Sequence, residues 1–278
     1  MTPSLAAAEA LLRAAGRRSE PKIDLADAAL ALGLFAQPDT DLAPYRAHLA
    51  TLARDVADAA GPRPVAIDAR IAALAEVLVR RHGYDGDRET YDDLQNANLI
   101  RVIDRRRGLP VALAILWLHA ARAQGWPAEG LNFPAHFLIR VGEGHSESIL
   151  DPFNGGKPLE RSGLADLLRR IAGAGAELDS GHCQPVGDRA ILLRLQNNAK
   201  LRLIGAGRHA DAATAVERML WLAPRDSALW WELGLLQGES GSLRAGLVSL
   251  DQAVRLADDD DARHRIAEAI AALRARLN

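Results

Sequence analysis

The chain reads as an α+β protein, mainly helical, with a small antiparallel sheet in its middle and paired helices at its carboxy end. Three patterns predict this. Residues 111–121 are apolar on every face except at His119, so this helix belongs at the centre of a core and not on a surface. Residues 136–141, HFLIRV, alternate: Phe137, Ile139 and Val141 share one face, and His136, Leu138 and Arg140 the other, which is strand spacing. Beyond residue 196, Gly207 recurs as Gly241, Met219 as Ala253, Leu222 as Leu256 and Pro224 as Asp258, each at an offset of 34, a helical-repeat period.

A length of 278 residues allows one large or two modest domains with ample apolar material for a core. The formal net charge of -2 excludes a general attraction to nucleic acid or acidic membranes. The single cysteine, Cys183, excludes an internal disulfide framework and fits a reducing compartment. The amino terminus has no basic segment followed by an apolar one, and no long uncharged apolar run follows. The expectation is a cytoplasmic protein without a membrane segment.

In order along the chain, alanine- and leucine-rich runs at 4–15 and 24–32, each behind capping residues, predict two short helices. A third follows Pro44 and ends near Gly61. A fourth follows Pro64, carries Ile67, Ile71, Leu74, Leu78 and Val79 on one side, and stops at Gly83. Residues 83–89 read as a loop and 96–106 as a further helix, with Gly108 as its left-handed stop. Pro110 suits the first turn of the central helix and Gly125 its end. A second strand is expected around 148–150, running into Asp151 and the turn Asn154-Gly155-Gly156, and another helix starts near Gly163. In the repeats, Trp230, Leu233, Gly234, Leu250 and Ala253 form the clearer copy, and Ala199, Gly207, Ala212 and Pro224 the other. A helix over 261–277 would cover the end of the stack. Two tetratricopeptide-like units cannot shelter their own apolar faces, so they should dock on the core. The division is therefore a helical region (1–64), a core (65–188) and repeats with a capping helix (189–278).

Four segments of the core, Tyr91-Asp92-Asp93 with Asn96 and Leu99, then RRRGLPVAL, NFPAHFLIR and DPFNGG, make the chain resemble the SirB-type proteins. These join a transglutaminase-like (papain-like) core to tetratricopeptide repeats. The resemblance covers most of the chain beyond about residue 65 and implies a Cys-His-Asp site. A cysteine opens the central helix, a histidine stands on a following strand, and an aspartate on the next strand orients it. His136 and Asp151 match the last two, but the cysteine position falls on Pro110. A nucleophilic thiolate requires sulfur there. Between Thr90 and Ser146 the chain has no Ser, Thr or Cys, so no near neighbour replaces it, and covalent catalysis of this kind is expected to be lost.

His136 with Asp151 then has two readings, a retained acid–base or binding dyad, or a polar pair satisfied inside the core. Arg105, Arg106 and Arg107 precede a helix amino terminus, where an anion can bind. They equally end the preceding helix, whose dipole favours cations. The candidate binding set is Arg106, Arg107, Asn132, His136, Asp151 and Asn154. Cys183, beside His182, is a candidate stand-in nucleophile or an inert thiol. Residues 258–261 lack the glycine and closing glutamate of a calcium loop, and no histidine or cysteine spacing supports a metal site. Nucleotide-loop and serine-hydrolase motifs are absent, and no cofactor is expected. The leading expectation is a non-catalytic adaptor or regulator that holds a protein or peptide through the repeat surface or the His136 cleft. The alternative is an amide-bond hydrolase or acyl-transfer enzyme using His136 and Asp151 with water or Cys183.

Overall fold

The computed structural model describes residues 3–17, 23–62, 65–144, 146–179 and 181–277. Its first helices are α1 (Pro3–Arg17), α2 (Leu25–Leu34), α3 (Ala43–Ala60) and α4 (Ile67–Ala75). Asp24 caps α2 by accepting from the Asp27 amide at 3.0 Å. Pro64, after which the fourth helix was expected, lies outside the described residues. That helix widens into a π-helical turn at Glu76–Arg81, a form common near functional sites. It stops at Gly83, whose φ is 72°.

Between residues 83 and 109 the expected loop and single helix need correction. Asp85–Gly86 (β1) pairs in parallel with Arg107–Gly108 (β2). The helix is broken in two, a 3-10 turn at Leu94–Ala97 and α5 at Leu99–Arg105. Asn98 causes the break. Its backbone is extended and its side chain accepts from the Ile100 amide at 3.0 Å, so it caps α5 and cannot continue a helix from residue 96. The left-handed stop is Arg106, with φ 58°, and not Gly108. Gly108 is needed for space, because a Cβ there would lie 2.8 Å from Val102 Cγ2.

The central helix, α6, spans Pro110–Ala123 and is buried from Pro110 to Leu118. Behind it stands a five-stranded antiparallel sheet in the order β6-β5-β4-β3-β7. The strands are β3 (Ala128–Phe133), β4 (His136–Glu143), β5 (Ser146–Asp151), β6 (Lys157–Pro158) and β7 (Gln184–Val186). The alternation in β4 sorts two cores. Phe137, Ile139 and Val141 join α6 in the main core, and Leu138 joins Leu131 and Phe133 against Leu164, Leu167 and Leu168 of α7 (Arg161–Ala172). Strands β3, β6 and β7 were not anticipated from the sequence.

The repeats are α8 (Asp188–Gly205), α9 (His209–Leu222), α10 (Ser227–Glu239), α11 (Leu243–Leu256) and α12 (Asp260–Leu277). Gly234 lets α10 and α11 cross closely, since a Cβ there would lie 2.6 Å from Leu250 Cγ. Trp230 is only partly buried, and its indole donates to the Pro224 carbonyl at 3.0 Å. The repeats dock on the core through a shared helix. Ile191, Leu192 and Leu195 of α8 belong to the main core, whereas Leu203 belongs to the cluster of α9 and α10.

Candidate functional site

His136 opens β4 and Asp151 closes the neighbouring antiparallel strand β5. That places the imidazole beside the carboxylate. His136 Nε2 donates to Asp151 Oδ1 at 2.9 Å, which leaves Nδ1 as the free ring position. Asp151 also accepts from the Phe153 amide at 3.1 Å and from Asn154 Nδ2 at 2.6 Å. Burial raises the Asp151 pKa, but the hydrogen bond and charge of His136 and the bonds from Asn154 outweigh it and hold the carboxyl below its ordinary range. The carboxylate is therefore ionised and orients the ring.

Aromatic groups close the site. Phe153 packs edge-on to His136 at 6.0 Å between ring centroids, and Tyr91 packs edge-on to Phe153 at 5.8 Å. Arg88 lies over Phe153 at 5.0 Å and donates to Asn154 Oδ1 at 2.8 Å. Only 11% of the His136 side chain is exposed. Gly86 connects this cover to α6: it pairs with Gly108, and a Cβ on it would lie 2.6 Å from the Phe153 ring. Pro110 starts α6 just beyond, with no atom able to act as nucleophile.

The other predicted residues lie in separate places. Asn132 pairs with Phe137, so it stands on the sheet face opposite His136. There it lines a groove of about 320 Å³ with Arg194 and Leu229. The three arginines diverge. Arg105 donates to Asn96 Oδ1 at 2.9 Å and to Asp87 Oδ2 at 2.8 Å. Arg106 bonds to Tyr84 and His48, and Arg107 donates to the Gly83 carbonyl at 3.1 Å. Cys183 has a left-handed backbone (φ 65°), and its amide donates to the Asn132 carbonyl at 3.0 Å. Burial pushes its thiol pKa up against the charge of Arg140, the reverse of what a nucleophile needs.

Sequence reasoning missed Arg88 and the buried Asp87. For Asp87 a local signal existed, since Asp-x-x-Thr is a turn in which the carboxylate accepts from following amides. Here it accepts from the Glu89 and Thr90 amides at 3.1 and 2.8 Å and from the Thr90 hydroxyl at 2.7 Å. Burial opposes its ionisation, but these bonds and Arg105 prevail and depress its pKa. For Arg88 the local ion pair with Asp85 is the short-range part, whereas its bonds to the Phe153 carbonyl and Asn154, 65 and 66 residues away, leave no local signal.

A second polar cluster surrounds Arg106. His48 Nε2 lies 2.7 Å from Arg106 Nη1 and 2.8 Å from the Tyr84 hydroxyl, and His82 bonds to Asp55 at 2.7 Å. To accept from Arg106, His48 must be neutral. Burial, then the charges of Arg106 and His82, hold its pKa at about 4 in spite of Asp55, against 6.5 for a free imidazole. The unfolded chain thus binds the extra proton across this window, and stability falls as pH drops from 6.5 to 4. Discounted for partial exposure, the loss is on the order of 1–2 kcal/mol. His48→Gln should flatten this fall in urea midpoints taken at pH 7, 5.5 and 4.5; an unchanged slope would assign the loss to another group.

Among the described residues, no group of three or more His, Cys, Asp and Glu side chains is placed to hold a metal ion, and no helix is long and apolar enough to cross a membrane.

The family model described as the transglutaminase-like superfamily matches residues 43–197, and a tetratricopeptide repeat model matches 199–271. A UPF0162 protein of Xylella fastidiosa (strain Temecula1) is 32% identical over 190 residues, covering 67% of this chain and 68% of the relative. A UPF0162 protein of Vibrio cholerae is 31% identical over 205 residues, covering 73% and 75%. Human F-box only protein 21 is 37% identical over 82 residues, covering 30% of this chain and 13% of that protein. The strands and central helix that hold His136 and Asp151 lie inside the first matched segment and most of the helical pairs inside the second, so the chain belongs to the transglutaminase-like superfamily and, within it, to the UPF0162 family.

Proposed function

We propose that this chain is a SirB-type member of its family that holds a protein or peptide without covalent catalysis, as an adaptor or regulator in the cytoplasm. The observation that carries this reading is the groove of about 600 Å³ across α9, α10 and α11. Its walls include Leu220, Trp221, Trp230 and Leu233 with the charged Arg13 and Glu217, and Val248 in it is 70% exposed. An apolar floor with aromatic anchors and charged neighbours suits a peptide segment bearing apolar side chains. Pro110 at the nucleophile position supports the absence of covalent chemistry.

A pull-down with the full-length chain tests this. Val248→Arg places a charge in the groove and should remove the captured protein, whereas His136→Ala should leave capture within twofold. Capture lost by His136→Ala and kept by Val248→Arg would move binding to the His136 cleft.

The His136–Asp151 bond favours one second reading, an amide hydrolase in which His136 Nδ1 accepts a proton from an attacking water. The natural chain should release no ammonia from glutamine peptides and form no transamidated product. Turnover abolished by His136→Ala would establish the second reading and end the first.

A further inference from the structure

A separate cavity of about 200 Å³ lies where the amino-terminal helices, the core and the repeats meet. Its walls come from the end of α2, the turn before α5, α8 and α9, with Leu32, Phe35, Ala97, Ala199 and Leu203 as apolar surface. The α2 end is pinned to the core, because Asn98 Nδ2 donates to the Gly33 carbonyl at 3.1 Å while Asn98 caps α5.

Two polar side chains line this cavity at its buried end. Arg218 of α9 has no hydrogen bond or ion pair to any described residue, and its Nε is wholly buried. Its guanidinium lies over the Phe35 ring, 4.8 Å from the centroid. Burial lowers its pKa, against the through-space pull of Glu217 and Asp211. Asp211 is already bonded to Arg208 at 2.7 Å. Gln196 of α8, 5% exposed, also lines the cavity. The charged lining is thus two arginines against one aspartate, a net +1. Arg218 is partly buried, and a half-buried cation whose Nε has no partner gains from an anion, while a guanidinium held flat on a ring presents its fork in a fixed plane.

We propose that this cavity binds a small carboxylic acid with a short branched apolar body. The carboxylate pairs with the Arg218 fork, the geometry for which arginine is suited. The Gln196 amide supplies a further donor, and the alkyl group fills the apolar walls. At ~30 Å³ per water, a cavity of about 200 Å³ accommodates a branched acid of a few carbons and excludes a folded partner. Because the walls belong to three parts of the chain, the bound acid would tie the repeats to the core. The site is independent of the repeat groove and of His136.

The probe is 3-methylbutanoate, titrated calorimetrically into the full-length chain, with 3-methylbutanamide as its neutral counterpart. Saturable binding of the acid is expected, at least tenfold tighter than the amide, with a rise in melting temperature. Arg218→Gln should weaken it at least tenfold, and Arg218→Lys should recover part of it, because a point charge keeps the attraction and loses the fork. If Arg218→Gln does not fold, Ala199→Leu, which fills the cavity and leaves the charge, should abolish binding. No saturable binding of the acid, equal affinity for the amide, or equal displacement by inorganic phosphate would overturn the proposal. So would binding of a peptide carboxy terminus without binding of the free acid.

Discussion

Gly156→Ala is expected to leave the chain largely unfolded or to remove ~2–5 kcal/mol of its stability. Gly156 follows the Asp151 turn with φ 72°, and a Cβ on it would lie 1.8 Å from Cη2 and 2.5 Å from Cζ3 of Trp117. The left-handed backbone costs an L-residue ~1–2 kcal/mol, and forcing atoms into a packed core adds ~1–3 kcal/mol. Trp117 cannot retreat, being 1% exposed in the middle of α6. Gly155 is the internal control. It has the same φ of 72°, but its added Cβ would meet only Val79 Cγ1 at 3.9 Å. Gly155→Ala should therefore show the backbone cost alone, ~1–2 kcal/mol. Guanidinium denaturation followed by tryptophan fluorescence separates the two variants. Equal losses would mean that contact with Trp117 has no energetic weight.

A chain ended after residue 190 should not fold cooperatively. The cut removes Ile191, Leu192 and Leu195, which are 0%, 0% and 1% exposed within the main core. Truncation of one such side chain costs ~2–5 kcal/mol, and a domain holds only ~5–15 kcal/mol in all. A chain ended at Gly205 keeps α8 whole and should retain a cooperative transition at a lower midpoint, because α1 loses α9 and the cluster around Leu203 is exposed. Calorimetry of the two truncations and the full chain distinguishes the outcomes. If the 190-residue chain melts like the full-length protein, the repeats are an independent arm and α8 contributes nothing to the core. The same result governs binding experiments, since a repeat deletion made at 190 would destroy the core as well.

How much of the site was legible depended on how local its causes were. The period of HFLIRV put His136 on a strand and DPFNGG put Asp151 at a turn, both short-range patterns, and the resemblance to SirB-type proteins implied them as a pair. Their closeness needs antiparallel pairing of β4 with β5, which the alternation permits and does not prove. The candidate set divided for the same reason. Asn132 and His136 are near in sequence, but opposite sides of a pleated sheet separate them. Arg105, Arg106 and Arg107 are consecutive, yet the left-handed turn at Arg106 sends each to a different partner.

The amino-acid sequence by itself determined the helical and strand periods, the burial of α6, the docking requirement of two short repeats and a proline at the start of the central helix. These follow from side-chain size, polarity and spacing, which are properties of residues a few places apart. The tertiary structure decided the rest. Strands β6 and β7 are only two and three residues long and exist because longer neighbours offer them unpaired backbone groups. Asn98, which breaks the helix by a local cap, also ties α2 to the core because the Gly33 carbonyl stands within reach of its amide. The Arg218 Nε is left without a hydrogen-bond partner where α2, α8 and α9 converge. Each of these depends on groups far apart along the chain, whose meeting is set by which apolar faces bury one another.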